Sequence, residues 1–437
     1  MASVWNIVLA VRKYAVMRVR MLSAPSAKLA PGPFNPFTPG RFAHPRVLLE
    51  KSQRYGPVFK FSWERNLSTA IVGFEPAREF LARHDEHLSG ISQDLSLLGD
   101  VKHVRNLQGE VHSACKRHLV QAMPKAGTKS HDHDLRSYVH RELERYARQC
   151  AQEGASADGF KHVLRIIGTG QLIISLFGCR PSSPAFAALL NGFLQIGPAD
   201  LVWKLGEDQV RAYRALEETV TDIVANLGPE DLNHDDTRYL MAFARAAQSD
   251  RLVLINLLAM IEMGRYDLAA FLRWIVCLLG RNRSVIDDLV KARAQGKQDL
   301  HALAQACVLE CLRHVQSESL ARRADADIVF QGHLIPKGSF VRICLWETHK
   351  DPTAFPDPFH FDPTRFMHKS FDATVFAPFG IDKHKCVAAD TVVRLAGLFV
   401  EELIGGFTWE PMGDNTPVRP FSLWEPSAEF TVDLKQR

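Results

Sequence analysis

No two of the eight cysteines in this 437-residue chain stand in a C-x-x-C pair, so neither a zinc ribbon nor a dithiol redox motif is supported. They are scattered singly, mostly through apolar or helical stretches, as reduced cysteines of a cytosolic protein are. Strong charge of one sign is missing as well. Lysine and arginine number 53 against 49 aspartates and glutamates, a net charge of +4, too mild for nucleic acid to be the main partner. No internal repeat and no low-complexity tract interrupts the chain. At the N-terminus the apolar run Val4–Val11 stops at Arg12 and Lys13, far short of the roughly 20 residues that span a bilayer. What is there is an ordinary globular composition, 46% hydrophobic and 23% charged, ample for a large core.

Arg12, Lys13, Arg18 and Arg20 alternate with Tyr14, Val16, Met17, Val19 and Met21, so residues 1–30 read as a basic amphipathic segment. Two readings stay open: peripheral contact with an anionic membrane, or a helix packed on its own domain. The basic residues follow the apolar run, which argues against a cleaved signal peptide. The expected location is cytoplasmic, with or without that peripheral contact.

Residues 24–46 are proline-rich and read as an irregular lead-in. Alternation predicts a hairpin over 55–74. From about 76 to 315 the pattern is helical, punctuated by Pro or Gly near 124, 181, 198 and 228. Ile328–Cys344 reads as strands around a Pro336-Lys337-Gly338 turn. A Pro/Phe-rich meander follows at 351–366, then a helix over about 388–404 and terminal strands. The fold class is mainly α with a small β portion (α+β), with residues 31–437 as one domain.

One cysteine differs from the rest. Cys386 lies in Phe379-Gly380-Ile381-Asp382-Lys383-His384-Lys385-Cys386-Val387-Ala388, a loop of glycine and cations directly before an apolar helix. Cationic side chains and a helix N-terminus both favour thiolate over thiol. A thiolate serves as nucleophile or metal ligand.

This loop resembles the haem-binding loop of the cytochromes P-450, with Phe379, Asp382, His384 and Ala388 at the family's marked positions. The resemblance implies that fold, one haem b, and Cys386 as its axial thiolate. His384 stands where Arg is common. Glu310 and Arg313 form an E-x-x-R, a pattern without weight alone, since Glu75/Arg78, Glu142/Arg145 and Glu262/Arg265 share it. Its position gives it weight: the family's pair joins a meander arginine in a structural ion network, and Arg365 occupies that place. Arg322 of R-x-A, and His112 with Lys116 where H-x-x-x-R is typical, match the family's propionate-binding cations. Together these matches run from about residue 30 to 435.

The pattern breaks in the distal helix. Most members carry Gly, an acid and Thr there, for proton delivery. Here Gly264 is followed by Arg265, Tyr266 and Asp267, so the acid–alcohol pair is absent. Asp267 relaying protons, with Tyr266 and Arg265 beside it, would preserve monooxygenation in altered form. Without that relay, the resemblance leaves a peroxide-using, radical-coupling, isomerase or dehydratase haem-thiolate enzyme, or a degenerate haem binder. Arg265 either grips a substrate carboxylate or pairs with Glu262.

Apolar stretches within 88–107 and 183–215, which the resemblance places at the access channel, imply a hydrophobic small molecule of terpenoid, steroid, fatty-acid or polyketide type. Cations near the loop (His368, Lys369, Lys383, His384 and Lys385, with Lys116 and Arg117) form either a solvated face or one that suits an acidic ferredoxin or flavodoxin as electron donor. His131-Asp132-His133-Asp134 reads as a helix start before a metal site, and Cys307 with Cys311 as core.

Overall fold

The computed structural model describes residues 44–437 except 64–65, 100, 125–130, 197–203, 227–237, 317–319 and 419–423, and before them residues 28–34 and six positions between 8 and 19. Most of segment 1–30, and with it the question of membrane contact, lies outside the described residues.

The chain begins with β1 (Lys28–Leu29) and α1 (Val47–Tyr55), then the hairpin β2 (Val58–Trp63) and β3 (Asn66–Val72), α2 (Phe74–His84) and β4 (Leu88–Gly90). A long helical run follows: α3 (Gly109–Ala122), α4 (Asp132–Glu153), α5 (Ala157–Phe177), α6 (Pro184–Gln195), α7 (Glu207–Asn226), α8 (Arg238–Ser249), α9 (Arg251–Arg281), α10 (Arg283–Gln295) and α11 (Lys297–Cys311). The last part holds β5 (Leu320–Ala324), β6 (Ile328–Phe330), β7 (His333–Ile335), β8 (Phe340–Cys344), α12 (Leu345–Thr348), α13 (Ala389–Gly406), β9 (Phe407–Met412), β10 (Pro417–Val418), β11 (Glu425–Pro426) and β12 (Thr431–Gln436).

Helix α9 is apolar on nearly every face, and a helix of that kind belongs inside a protein. Asp250 starts it by accepting the N–H of Val253 at 3.1 Å, the side-chain cap an exposed helix end requires. It packs against α5, whose residues from Ile166 to Phe177 are all buried. Helix α5 is long and apolar enough to cross a membrane, yet 83% of its most apolar stretch is buried within the fold, which identifies it as a core helix. Gly170 is required there: a Cβ would overlap the Tyr138 ring of α4.

The main sheet has the order β2-β3-β8-β5-β4, and a second sheet the order β1-β7-β6. The hairpin expected at 55–74 is present, and so is the helix expected at 388–404. The Pro336-Lys337-Gly338 turn, however, does not close a hairpin. It carries the chain from β7 in one sheet to β8 in the other. The tight turn is Gln331-Gly332 between β6 and β7, both with positive φ (47° and 76°), the geometry a two-residue hairpin favours. The stretch read as helix from 76 also contains β4, whose Gly90 pairs with Arg322 of β5.

Helix α11 ends in a single π turn, Leu312–Gln316. Arg313 sits in it, fully buried with Glu310, and the two bond through a fork with both N···O distances 2.7 Å. The remaining guanidinium N–H groups donate to the meander carbonyls of Pro358 at 2.8 Å and of His349 and His360 at 3.3 Å. Glu310 also accepts the N–H of Asp362 at 2.9 Å. Arg365 completes the expected trio at 3.7 Å from Glu310. Buried Lys350 was not foreseen. Its Nζ donates to the π-turn carbonyls of Arg313 (2.6 Å) and His314 (3.1 Å), and the Trp346 indole N–H donates to the second of these at 2.8 Å.

Glu310→Ala would strand a buried guanidinium, at a cost of about 3–5 kcal/mol. Denaturant unfolding is expected to show that loss together with low soluble yield. An unchanged midpoint would mean the network contributes nothing to the fold.

Candidate functional site

The Cys386 loop is held by its own backbone first. Gly380 has φ +96°, and a Cβ there would lie 2.7 Å from the carbonyl oxygen of His384, so only glycine fits. Asp382–His384 form one 3₁₀ turn, and the Cys386 N–H donates to the Phe379 carbonyl at 2.8 Å. Cys386 is half-buried, whereas the other seven cysteines are buried. Helix α13 begins three residues later.

Four outside groups grip this loop. Asp85, just past α2, binds His384 Nε2 at 2.6 Å and Lys383 Nζ at 2.5 Å. Burial alone would raise the Asp85 pKa, but hydrogen bonds from His384 and Lys383 bring it down to about 2. Arg78 donates to the Ala373 carbonyl at 2.6 Å and reaches Asp382 at 3.4 Å. Lys116 donates to the carbonyls of Lys383 and Lys385. His349 Nε2 accepts the Ala377 N–H at 3.0 Å, and its ring lies 5.2 Å from that of Phe376. Burial first, then Lys350 and Arg313, push the His349 pKa well below its ordinary value. The imidazole is therefore neutral, with its proton on Nδ1.

Above the loop lies a cavity of about 450 Å³ with Cys386 and Phe379 on one wall. The opposite wall is α9, which contributes Met260, Gly264, Asp267 and Phe271. These positions recur every three or four residues and share one helix face. His112, Lys116, Arg322 and His384 also line the cavity. Burial, then His384 and Lys116, lower the pKa of His112.

Arg265 and Tyr266 are not brought to the cavity, which corrects the expectation that they stand beside Asp267. They lie on another face of α9. Arg265 is buried and forked onto Glu262 at 2.7 and 3.0 Å, and it donates to the Tyr266 hydroxyl at 2.8 Å. Of its two open readings, the structure shows the pairing with Glu262. Lys116 reaches the cavity, but its ammonium is engaged with the loop carbonyls.

Asn256 lines the cavity and was missed by sequence reasoning, while His103 and Arg105 line it from within the expected channel region 88–107. Asn256 was detectable as a lone amide in the apolar run of α9. It accepts the Val104 N–H at 2.7 Å and donates to the Lys102 carbonyl at 3.1 Å, pinning that loop to the helix. His103 accepts the Arg105 N–H at 3.1 Å. Burial, with Arg105 adding to it, lowers its pKa to about 3. Of the expected channel regions, 88–107 contributes Ile91, His103, Val104 and Arg105, while no described residue of 183–215 is among the lining residues. Among the described residues no three His, Cys, Asp or Glu side chains converge as a metal site. Asp132 instead pairs with Arg394, and Cys307 and Cys311 are core.

Residues 269–430 match the family model described as Cytochrome P450. An abscisic acid 8'-hydroxylase of Solanum lycopersicum is 30% identical over 186 residues, 38% of this chain and 39% of that protein. Abscisic acid 8'-hydroxylase 1 of Arabidopsis thaliana is 21% identical over 405 residues, 87% of this chain and 84% of that protein. The alignments to the first three curated relatives span 39%, 45% and 58% of those proteins. The solved structure of retinoic acid bound cyanobacterial CYP120A1 superposes with a TM-score of 0.69 at 22% identity, covering 94% of this chain and all of that one. The donor set fits haem: a thiol on one wall, apolar surfaces for a flat ring, and His112 and Arg322 for its carboxylates.

A histidine kept neutral by burial destabilises the fold once solution pH would protonate it. The unfolded chain then binds the proton and the folded chain does not, so stability falls with pH below about 6.5. His349→Gln keeps an acceptor for Ala377 and removes the titration. Its unfolding free energy is expected to fall less steeply between about pH 6.5 and 5, by up to about 1.4 kcal/mol per pH unit. Equal slopes in denaturant titrations would place the proton elsewhere.

Proposed function

We propose that this chain is a haem-thiolate monooxygenase of the cytochrome P450 superfamily acting on a hydrophobic small molecule: residues 269–430 match that family's model, and the chain shares the fold of a solved member along nearly its whole length. The observation that carries this reading is one cavity with Cys386 on one wall and Gly264 and Asp267 on the other. Haem b bound through a thiolate supplies dioxygen activation, since the sulfur's electron density favours O–O cleavage. Cys386 Sγ would hold the iron, Phe379 lines the same cavity, and His112 and Arg322 would meet the haem carboxylates.

Asp267 is the group that holds and moves a proton at the reacting face. It is half-buried on the cavity side of α9, and Leu268 follows it. A carboxyl there donates only if burial raises its affinity for the proton or a water chain links it to solvent. The missing hydroxyl supports a second reading, in which the haem-thiolate uses peroxide, couples radicals, or rearranges or dehydrates its substrate, or in which turnover has been lost.

Met260, Leu172, Leu176 and Phe271 make the cavity apolar, which suits terpenoid, steroid, fatty-acid or polyketide substrates. The names of the abscisic acid 8'-hydroxylase relatives favour the terpenoid class. Exposed Lys383, Lys385, Arg117, His368 and Lys369 form the basic face on which an acidic ferredoxin or flavodoxin would dock. A cytoplasmic location, with or without peripheral membrane contact through residues 1–30, completes the proposal.

Purified protein is expected to show the red-shifted carbon monoxide band of a reduced haem-thiolate, and Cys386→Ala to lose it. With a substrate found by Soret shift, product is expected only with NAD(P)H and redox partners. Asp267→Ala is expected to cut that rate by about a hundredfold or more, with more dioxygen lost to peroxide. Product from peroxide alone, or with no oxidant or electron donor, would overturn monooxygenation in favour of the second reading.

A further inference from the structure

The ammonium of Lys116 is spent on backbone. From α3 its Nζ donates to the carbonyl of Lys383 and, at 2.9 Å, to that of Lys385. The second acceptor belongs to the same peptide unit as the Cys386 N–H, which donates to the Phe379 carbonyl at 2.8 Å. A cation on a peptide oxygen polarises the unit and strengthens its N–H as a donor. It also fixes the orientation of the peptide leading directly into the ligand residue. The other cations at this edge are arranged differently: His384 is held by Asp85, and Arg322 donates to the Ala321 carbonyl at 2.9 Å.

We propose that Lys116 is a positioning residue for the Cys386 sulfur, a strap across the loop that fixes the peptide leading into it, and not a ligand of the haem carboxylates. The inference rests on Cys386 being the haem ligand. Without the strap the 383–386 backbone loses two outside anchors and is free to rotate, and the sulfur moves with it.

The experiment compares holoprotein of wild type, Lys116→Met, Lys116→Gln and Lys116→Arg. Haem content, haem transfer to apomyoglobin, and the decay of the red-shifted carbon monoxide band toward the shorter-wavelength band of a displaced sulfur are each followed. Lys116→Met is expected to bind haem at wild-type stoichiometry and to release it at the wild-type rate. Its thiolate band should decay about tenfold faster, the worth of one hydrogen bond to a charged donor. Lys116→Arg is expected to restore most of the band's lifetime and Lys116→Gln little of it. Should Lys116→Met fail to fold, the Gln and Arg pair carries the comparison. Faster haem loss with an unchanged thiolate band would overturn the proposal and make Lys116 a carboxylate ligand. Absence of the thiolate band in wild type would instead remove the reading of Cys386.

Discussion

A guanidinium shut away from water must find an acceptor for its N–H groups, and Arg313 does so by ordering an otherwise irregular segment. Glu310 takes two of its donors, and the carbonyls of His349, Pro358 and His360 take the rest. The meander has no ladder of its own, so these bonds fix its path. His349 then passes the constraint on: its backbone carbonyl is bound by Arg313, while its ring accepts the Ala377 N–H at the entry to the Cys386 loop. The position of one sulfur is in this way tied to a buried ion pair some 70 residues earlier in the chain.

Local sequence carried part of this fold and distance the rest. The hairpin at 55–74 is a short pattern set by neighbours in sequence and is where it was read to be, whereas the E-x-x-R drew its weight from the distant Arg365. The sheet connections were less legible. Pro336-Lys337-Gly338 has turn chemistry, but which strands it joins depends on β3 and β1, more than 250 residues earlier. Lys350 shows the same limit, because nothing near it in sequence announces that its ammonium will meet the π-turn carbonyls.

Helix α9 brings some residues of the sequence-read run to the cavity and turns their neighbours away. Gly264 and Asp267 are three residues apart and share the cavity face. Arg265 and Tyr266 fall between them in sequence, roughly 100° and 200° around the helix. An apolar helix buried on all sides gives no amphipathic stripe to say which face is which. The Glu262–Arg265 spacing did carry the answer, since i, i+3 partners of opposite charge in a dry interior will pair before either reaches a ligand.

The loop also redistributes charge in a way that residue types alone do not reveal. Counted from sequence, His112, Lys116, Arg322 and His384 are four cations awaiting two carboxylates. In the structure Asp85 binds His384 and Lys383 together, and the Lys116 ammonium is committed to peptide oxygens. Asp85 lies 299 residues from His384, beyond the reach of any spacing rule. Two of the four cations thus support the loop that presents the sulfur, which leaves His112 and Arg322 as the groups best placed for an anionic edge. Part of the positive charge at this edge of the cavity therefore goes into holding the Cys386 loop.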